Sequence, residues 1–114
     1  MGKTMVPDIP FDVYESPQEL VIILPLGGVK KNSLEVKIED YRVVIRGVRE
    51  KIKMKASFSS LKEECYWGKI EKKIDLPPQV YFDKIHSKLS PENILEIIIP
   101  KSKIPDKISL EIEK

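Results

Sequence analysis

The chain has 114 residues, of which 41% are hydrophobic and 33% charged, with 20 Lys and Arg against 18 Asp and Glu. That length holds one domain with a modest core, and a net charge of +2 is far from the basic balance of a nucleic-acid binder. Cys65 is the only cysteine, which excludes an intramolecular disulfide, a Cys/His zinc set and a CxxC pair. No stretch approaches the roughly 20 apolar residues that a membrane-spanning helix needs, and neither a membrane nor a nucleic acid is expected as a partner.

Nine prolines, and short Val, Ile and Leu runs between Pro, Gly and Asn/Asp punctuation, predict strands rather than long helices. The first run, 11–15, ends at the Ser16-Pro17 turn. Leu20 to Leu24 is apolar on both faces, which predicts a central strand between two sheets. Pro25 and Gly27-Gly28 stop it. Leu34, Val36 and Ile38 then alternate with Glu35, Lys37 and Glu39, as in a half-buried strand. Asp40-Tyr41 turns the chain into Val43-Val44-Ile45, so 34–46 reads as a hairpin ended by Gly47.

Residues 50–64 are lysine-rich, with scattered Ile52, Met54, Phe58 and Leu61; a long loop fits them, with a weak helix as the alternative. Alternation returns at Ile70, Ile74 and Leu76. Lys72 falls on the apolar face of that strand, where its stem can pack while the ammonium snorkels to the edge. Pro77-Pro78 ends the strand. Two further strands, 85–89 and 94–99, are separated by Ser90-Pro91-Glu92-Asn93, with Asn93 supplying any positive φ the turn requires. The expected fold is all-β, an immunoglobulin-like β-sandwich of about seven to eight strands in two antiparallel sheets.

Catalytic, cofactor and metal sites are not expected. His86 is the lone histidine, with no cysteine or second histidine near it in sequence, so it reads as structural or exposed. Cys65 reads as a small core or interface residue. Gly27-Gly28 lacks the surrounding pattern of a phosphate-binding loop and is a turn. Tyr66-Trp67 suits ordinary packing at the start of a strand better than base stacking.

Several segments, in this order, resemble the alpha-crystallin domain of the small heat-shock proteins. Phe11-Asp12-Val13-Tyr14-Glu15, then Glu19 through Pro25-Leu26-Gly27-Gly28-Val29, look like the family's opening strands and Leu-Pro-Gly-Val turn. Val43-Val44-Ile45-Arg46-Gly47-Val48-Arg49 resembles its Leu-x-Ile-x-Gly-x-Arg strand. Glu64, Gly68, Ile70, Lys72, Ile74, Leu76 and Pro77 resemble its Glu-Arg…Gly-x-Phe-x-Arg-x-Phe-x-Leu-Pro segment, with Lys72 where the family has Arg. The closing Ala-x-x-x-Asn-Gly-Val-Leu is replaced by Ser87 through Leu95, without the glycine. Ten residues precede Phe11, where typical members carry a long apolar arm.

The resemblance implies an arm at 1–10, an alpha-crystallin-type domain at 11–101 and a tail at 102–114. It implies an ATP-independent holdase chaperone, not an enzyme, that binds partly unfolded clients and associates with itself as a homodimer or larger homo-oligomer; the cytoplasmic location is expected from residues 1–10, which lack the apolar segment of a secretory signal, and from the lone cysteine. By the same resemblance, the tail residues Ile108, Leu110 and Ile112 dock in a groove lined by Leu34, Val36, Ile38, Ile85, Ser87 and Leu89. The loop residues Ile52, Met54 and Phe58 cross to a partner and meet its Phe11, Val13 and Tyr14. The competing expectation is a partner-specific scaffold, either a dimeric subunit or a co-chaperone of the CS-domain kind.

Overall fold

The computed structural model describes residues 8–102 and Ile112. Seven strands form among these residues: β1 (Asp12–Glu15), β2 (Glu19–Pro25), β3 (Glu35–Glu39), β4 (Arg42–Arg49), β5 (Gly68–Asp75), β6 (His86–Leu89) and β7 (Ile94–Pro100). Single turns of 3-10 helix at Lys31–Ser33 and Phe82–Lys84 lead into β3 and β6. All pairings are antiparallel. They build a four-stranded sheet, in the order β1-β2-β7-β6, and a three-stranded sheet, in the order β3-β4-β5.

Alternation decides which side chains meet between the sheets. Ile22 and Leu24 of β2, Val43 and Ile45 of β4, and Leu95, Ile97 and Ile99 of β7 are at most 2% exposed. Full burial of each is worth about 1.5–3 kcal/mol, and together they form one core with Leu26, Val29, Ile70 and Ile74. The core begins before the first strand, because Ile9 is also buried.

The apolar runs of β2 and β7 are interior to their sheet, but only one face of each lies against the second sheet, contrary to the expectation of a strand covered on both sides. The other faces place Tyr14, Val21, Ile98 and His86 in one cross-strand row. Val21 is half-buried and Ile98 buried, since a flanked side chain loses water access to its cross-strand neighbours.

The outer face of the three-stranded sheet is different in kind. Glu35, Lys37 and Glu39 of β3 form ion pairs with one another and with Arg46 of β4, and Arg46 reaches Glu71 of β5 at 2.7 Å. Val44 is buried in this face, in register with Lys37 and Lys73, whose long stems can cover it.

Three backbone positions explain the turns. Asp40 and Tyr41 both have positive φ, 52° and 60°, the conformation of a two-residue hairpin turn, and the Tyr41 ring packs edge-on against Phe82 at 5.2 Å between centroids. Asn93 supplies the positive φ of the β6–β7 turn, 63°. Its side-chain amide donates to the carbonyl of Val29 at 2.9 Å.

Candidate functional site

Lys72 links β5 to the segment that leads into β1. It lies in the inward row Val36–Ile45–Lys72, and its ammonium escapes sideways to Asp8 at 2.8 Å and over the Phe11 ring at 4.9 Å. The side chain is only 15% exposed, as expected for a snorkelling lysine. The hydrogen bond from Lys72 and its charge hold the Asp8 carboxyl below its usual range. Strand β5 therefore runs along the β1 side of the sandwich, which puts β3 and β6 together along the other side.

Along that second side run two sheet edges, β3 and β6. Leu34, Val36 and Ile38 on the β3 edge, and Ile85 and Leu89 on the β6 edge, are half-buried and pack against the core. Ser87 is exposed. Each edge strand has one paired neighbour among the described residues, so its outer backbone groups are available to a further strand. Of the six residues expected to line a groove, five thus pack against the core, and Ser87 does not. Of the expected tail motif, Ile108 and Leu110 lie outside the described residues, and Ile112 is 80% exposed.

On the opposite side, β1 offers a third edge. All four of its residues are exposed, Val13 at 51% and Tyr14 at 59%. Val13 faces inward by register with Ile22, yet the narrower sheet beneath does not cover it. Phe11, just before the strand, is half-buried under Lys72.

Between β4 and β5 the chain leaves the sandwich. Residues 50–67 contain neither strand nor helix, which settles the loop against the helix. Every residue from Glu50 to Cys65 is exposed, including Ile52 at 71%, Met54 at 60%, Phe58 at 66% and Leu61 at 99%. These side chains surround an open hollow of about 720 Å³ within the arm itself. An ion pair from Lys51 to Glu63 at 2.7 Å closes the arm. Cys65, expected at a core or an interface, is exposed.

The base of the arm is anchored firmly. The Glu50 amide donates to the Gly28 carbonyl at 3.1 Å, and the Arg49 guanidinium to the Gly27 carbonyl at 2.9 Å. Gly28 has a positive φ of 76°, and a side chain there would meet Arg49 and Trp67. Nothing in the local sequence pattern signals these anchors, because they join residues far apart in the chain.

A model of the Hsp20/alpha crystallin family matches residues 12–113. The chain belongs to that family. Among Hsp20 relatives, it is 32% identical over 98 residues to a 17.1 kDa class II heat shock protein of Pisum sativum, covering 85% of this chain and 64% of that one. It is likewise 32% identical to a 17.9 kDa class II heat shock protein of Helianthus annuus, covering 61% of that protein. The chain therefore spans less than two thirds of the length of these relatives. Two solved structures share the fold. Heat shock protein 16.0 of Schizosaccharomyces pombe superposes with a TM-score of 0.74 at 22% identity, covering 94% of this chain and 99% of that one. A small heat-shock protein of Xylella fastidiosa gives 0.75 at 21% identity, covering 96% and 100%.

No cluster of His, Cys, Asp or Glu suited to a metal ion occurs among the described residues. His86 is exposed on β6, with only a 3.3 Å contact to the Lys84 carbonyl. No described helix is long and apolar enough to cross a membrane.

Proposed function

We propose that this domain is an ATP-independent holdase that binds partly unfolded proteins through its apolar groove and open sheet edges. The observation that carries the reading is the combination, in a member of the Hsp20/alpha crystallin family, of exposed apolar side chains on the arm at 50–67 with open sheet edges. Each of Ile52, Met54 and Phe58 forgoes about 1.5–3 kcal/mol of burial while it stays in water. An extended client segment would gain backbone pairing along β6 or β3 and place alternate side chains in the groove.

The same features support a homodimer in which residues 50–67 cross to the partner and lie against its β1, beside Phe11, Val13 and Tyr14. The tail residues Ile108, Leu110 and Ile112 would occupy the groove when no client does, linking one dimer to another. Holding a client in this way calls for no reacting group, cofactor or metal. We assign the protein to the cytoplasm, a reading supported by the single, unpaired cysteine.

The test is absolute mass by light scattering of the full chain and of a variant ending at Lys103, together with suppression of thermal aggregation of a model client without ATP. Suppression by a dimer or larger species that shrinks on truncation supports the holdase. A tail-insensitive species that suppresses nothing identifies a partner-specific scaffold instead.

A further inference from the structure

Strand β1 is an ill-matched cover for the strand it pairs with. Its register sets Asp12 opposite Ile23, Val13 opposite Ile22, Tyr14 opposite Val21 and Glu15 opposite Leu20. Asp12 and Glu15 thus each place a carboxylate beside an aliphatic side chain, where a β-branched or aromatic neighbour would exclude water better. Every residue of β1 is exposed, and beside it Leu20, Val21 and Ile23 are only half-buried.

The side-chain hold on β1 is concentrated at its two ends. In front, Ile9 is buried in the core and Asp8 meets Lys72 at 2.8 Å. Behind, Glu15 meets Lys101 at 2.6 Å. Between these pins only the short backbone ladder to β2 ties the strand down. Strand β2 is held differently, since Ile22 and Leu24 lie in the core and its ladder to β7 runs from Glu19 to Pro25. Weakly packed edge segments open at a lower free energy than the whole fold. Loss of β1 would therefore leave β2 in place with a bare edge, apolar on both faces from Leu20 to Leu24.

We propose that residues 8–15 are a displaceable cover, and that their release bares the β2 edge to an extended aliphatic segment of a partly unfolded protein. The incoming segment pairs with the backbone groups that β1 leaves and sets aliphatic side chains where Asp12 and Glu15 stood, beside Ile23 and Leu20. This rests on the holdase reading above. It adds to that reading an edge that the chain itself covers, and the class of side chain that displaces the cover.

The test uses the full chain with Cys65→Ser, Tyr14→Cys and Val21→Cys. The two introduced cysteines are cross-strand partners, about 4.5–5.5 Å apart between Cα atoms and so within reach of a disulfide that locks the cover. A fluorescent peptide of sequence 8–16 carrying Asp12→Val and Glu15→Leu is titrated by anisotropy alongside the unaltered peptide. The altered peptide should bind the reduced chain roughly two- to thirtyfold more tightly, the range for two improved cross-strand pairs, and oxidation should abolish its binding. Equal binding of the two peptides overturns the preference for aliphatic side chains. Binding that survives oxidation puts the peptide on another edge and overturns the cover. In hydrogen exchange, Ile9→Ser should speed the amides through which residues 12–15 bond to β2 and leave those of β7 unchanged; an equal rise in β7 makes Ile9 a general stabiliser and overturns its role as a pin. Thermal aggregation of a cysteine-free client separates the cover from the holdase reading. Suppression by the reduced form that oxidation removes supports the cover, and equal suppression by both forms overturns it while the holdase stands. Suppression by neither form, nor by the unmodified chain, removes both.

Discussion

The side chain of Asn93, in the turn between β6 and β7, holds the backbone carbonyl of Val29 at 2.9 Å, across 64 residues of chain. The main chain of Asn93 also accepts from the Leu26 amide at 2.8 Å. One residue therefore supplies a left-handed turn and ties it to the crossover that joins the two sheets.

Two substitutions separate those roles. Asn93→Gly keeps the φ of 63° accessible and loses the side-chain hydrogen bond, so it should cost about 1 kcal/mol. Asn93→Ala loses the bond and also forces an ordinary residue into the left-handed region, for a total of about 2–3 kcal/mol. Urea unfolding of the two variants measures the difference, and equal losses would mean that the turn conformation contributes nothing.

Gly47 sits in the packed interior, where an added Cβ would come within 2.9 Å of Val29 Cγ1. Gly47→Ala should destabilise by about 1–3 kcal/mol through overpacking. Val29→Ala removes the obstructing methyl. The double variant should therefore lose less than the sum of the two single ones, by about 0.5–3 kcal/mol in a double-mutant cycle.

Acid should weaken the fold through carboxylates with lysine or arginine partners. Asp8, Glu39 and Glu71 are held below their ordinary range, mainly by hydrogen bonds from Lys72, Lys37 and Arg46 respectively. A carboxylate depressed in the folded state contributes fully above its unfolded pKa, about 3.9 for Asp and 4.3 for Glu. That contribution is lost as pH falls through the lower folded value. Thermal stability should thus be level from neutrality to about pH 5 and decline below about pH 4, with Asp8→Asn making the decline shallower. A decline unchanged by Asp8→Asn would show that the Lys72 pairing does not favour the folded state.

Replacing Ile52, Met54 and Phe58 with serine should leave the stability of the isolated sandwich within about 0.5 kcal/mol per site, as for exposed positions in general. The same variant should halve the solution mass if the arm is exchanged between two chains. Unchanged mass by light scattering would sink the exchange.

Much of the sandwich could be read from period-two patterning. The alternation at Leu34, Val36 and Ile38, and again at Ile70 and Ile74, assigns inward faces directly, and Asp40-Tyr41 and Asn93 marked turns that do take positive φ. The snorkelling of Lys72 was equally legible, since a lone lysine on an apolar face has few other options. The covering of β2 was not. A run such as Val21-Ile22-Ile23-Leu24 is apolar on both faces whether a second layer or only flanking strands shield it, so composition cannot separate the two cases. Ile9 escaped notice because a single apolar residue between Asp8 and Pro10 has no period. The groove residues emerged from the family resemblance, and the fold then brought five of the six against one core. The bolting of Arg49 and Glu50 to Gly27 and Gly28 depends on contacts over more than 20 residues, which no local pattern records.

A sheet of four strands lies over a sheet of three, so the shorter layer ends before the longer one does, and Val13 projects beyond it. Each chain thus carries one vacancy and, in residues 50–67, one spare length of backbone. Under the proposed exchange, giving and receiving happen together, and a pair of chains uses both vacancies and both spare lengths at once. Such reciprocity closes on itself with two-fold symmetry and cannot run on as a filament. The β3 and β6 edges, on the other flank of the sandwich, stay open after the pair has formed and are available to a larger assembly.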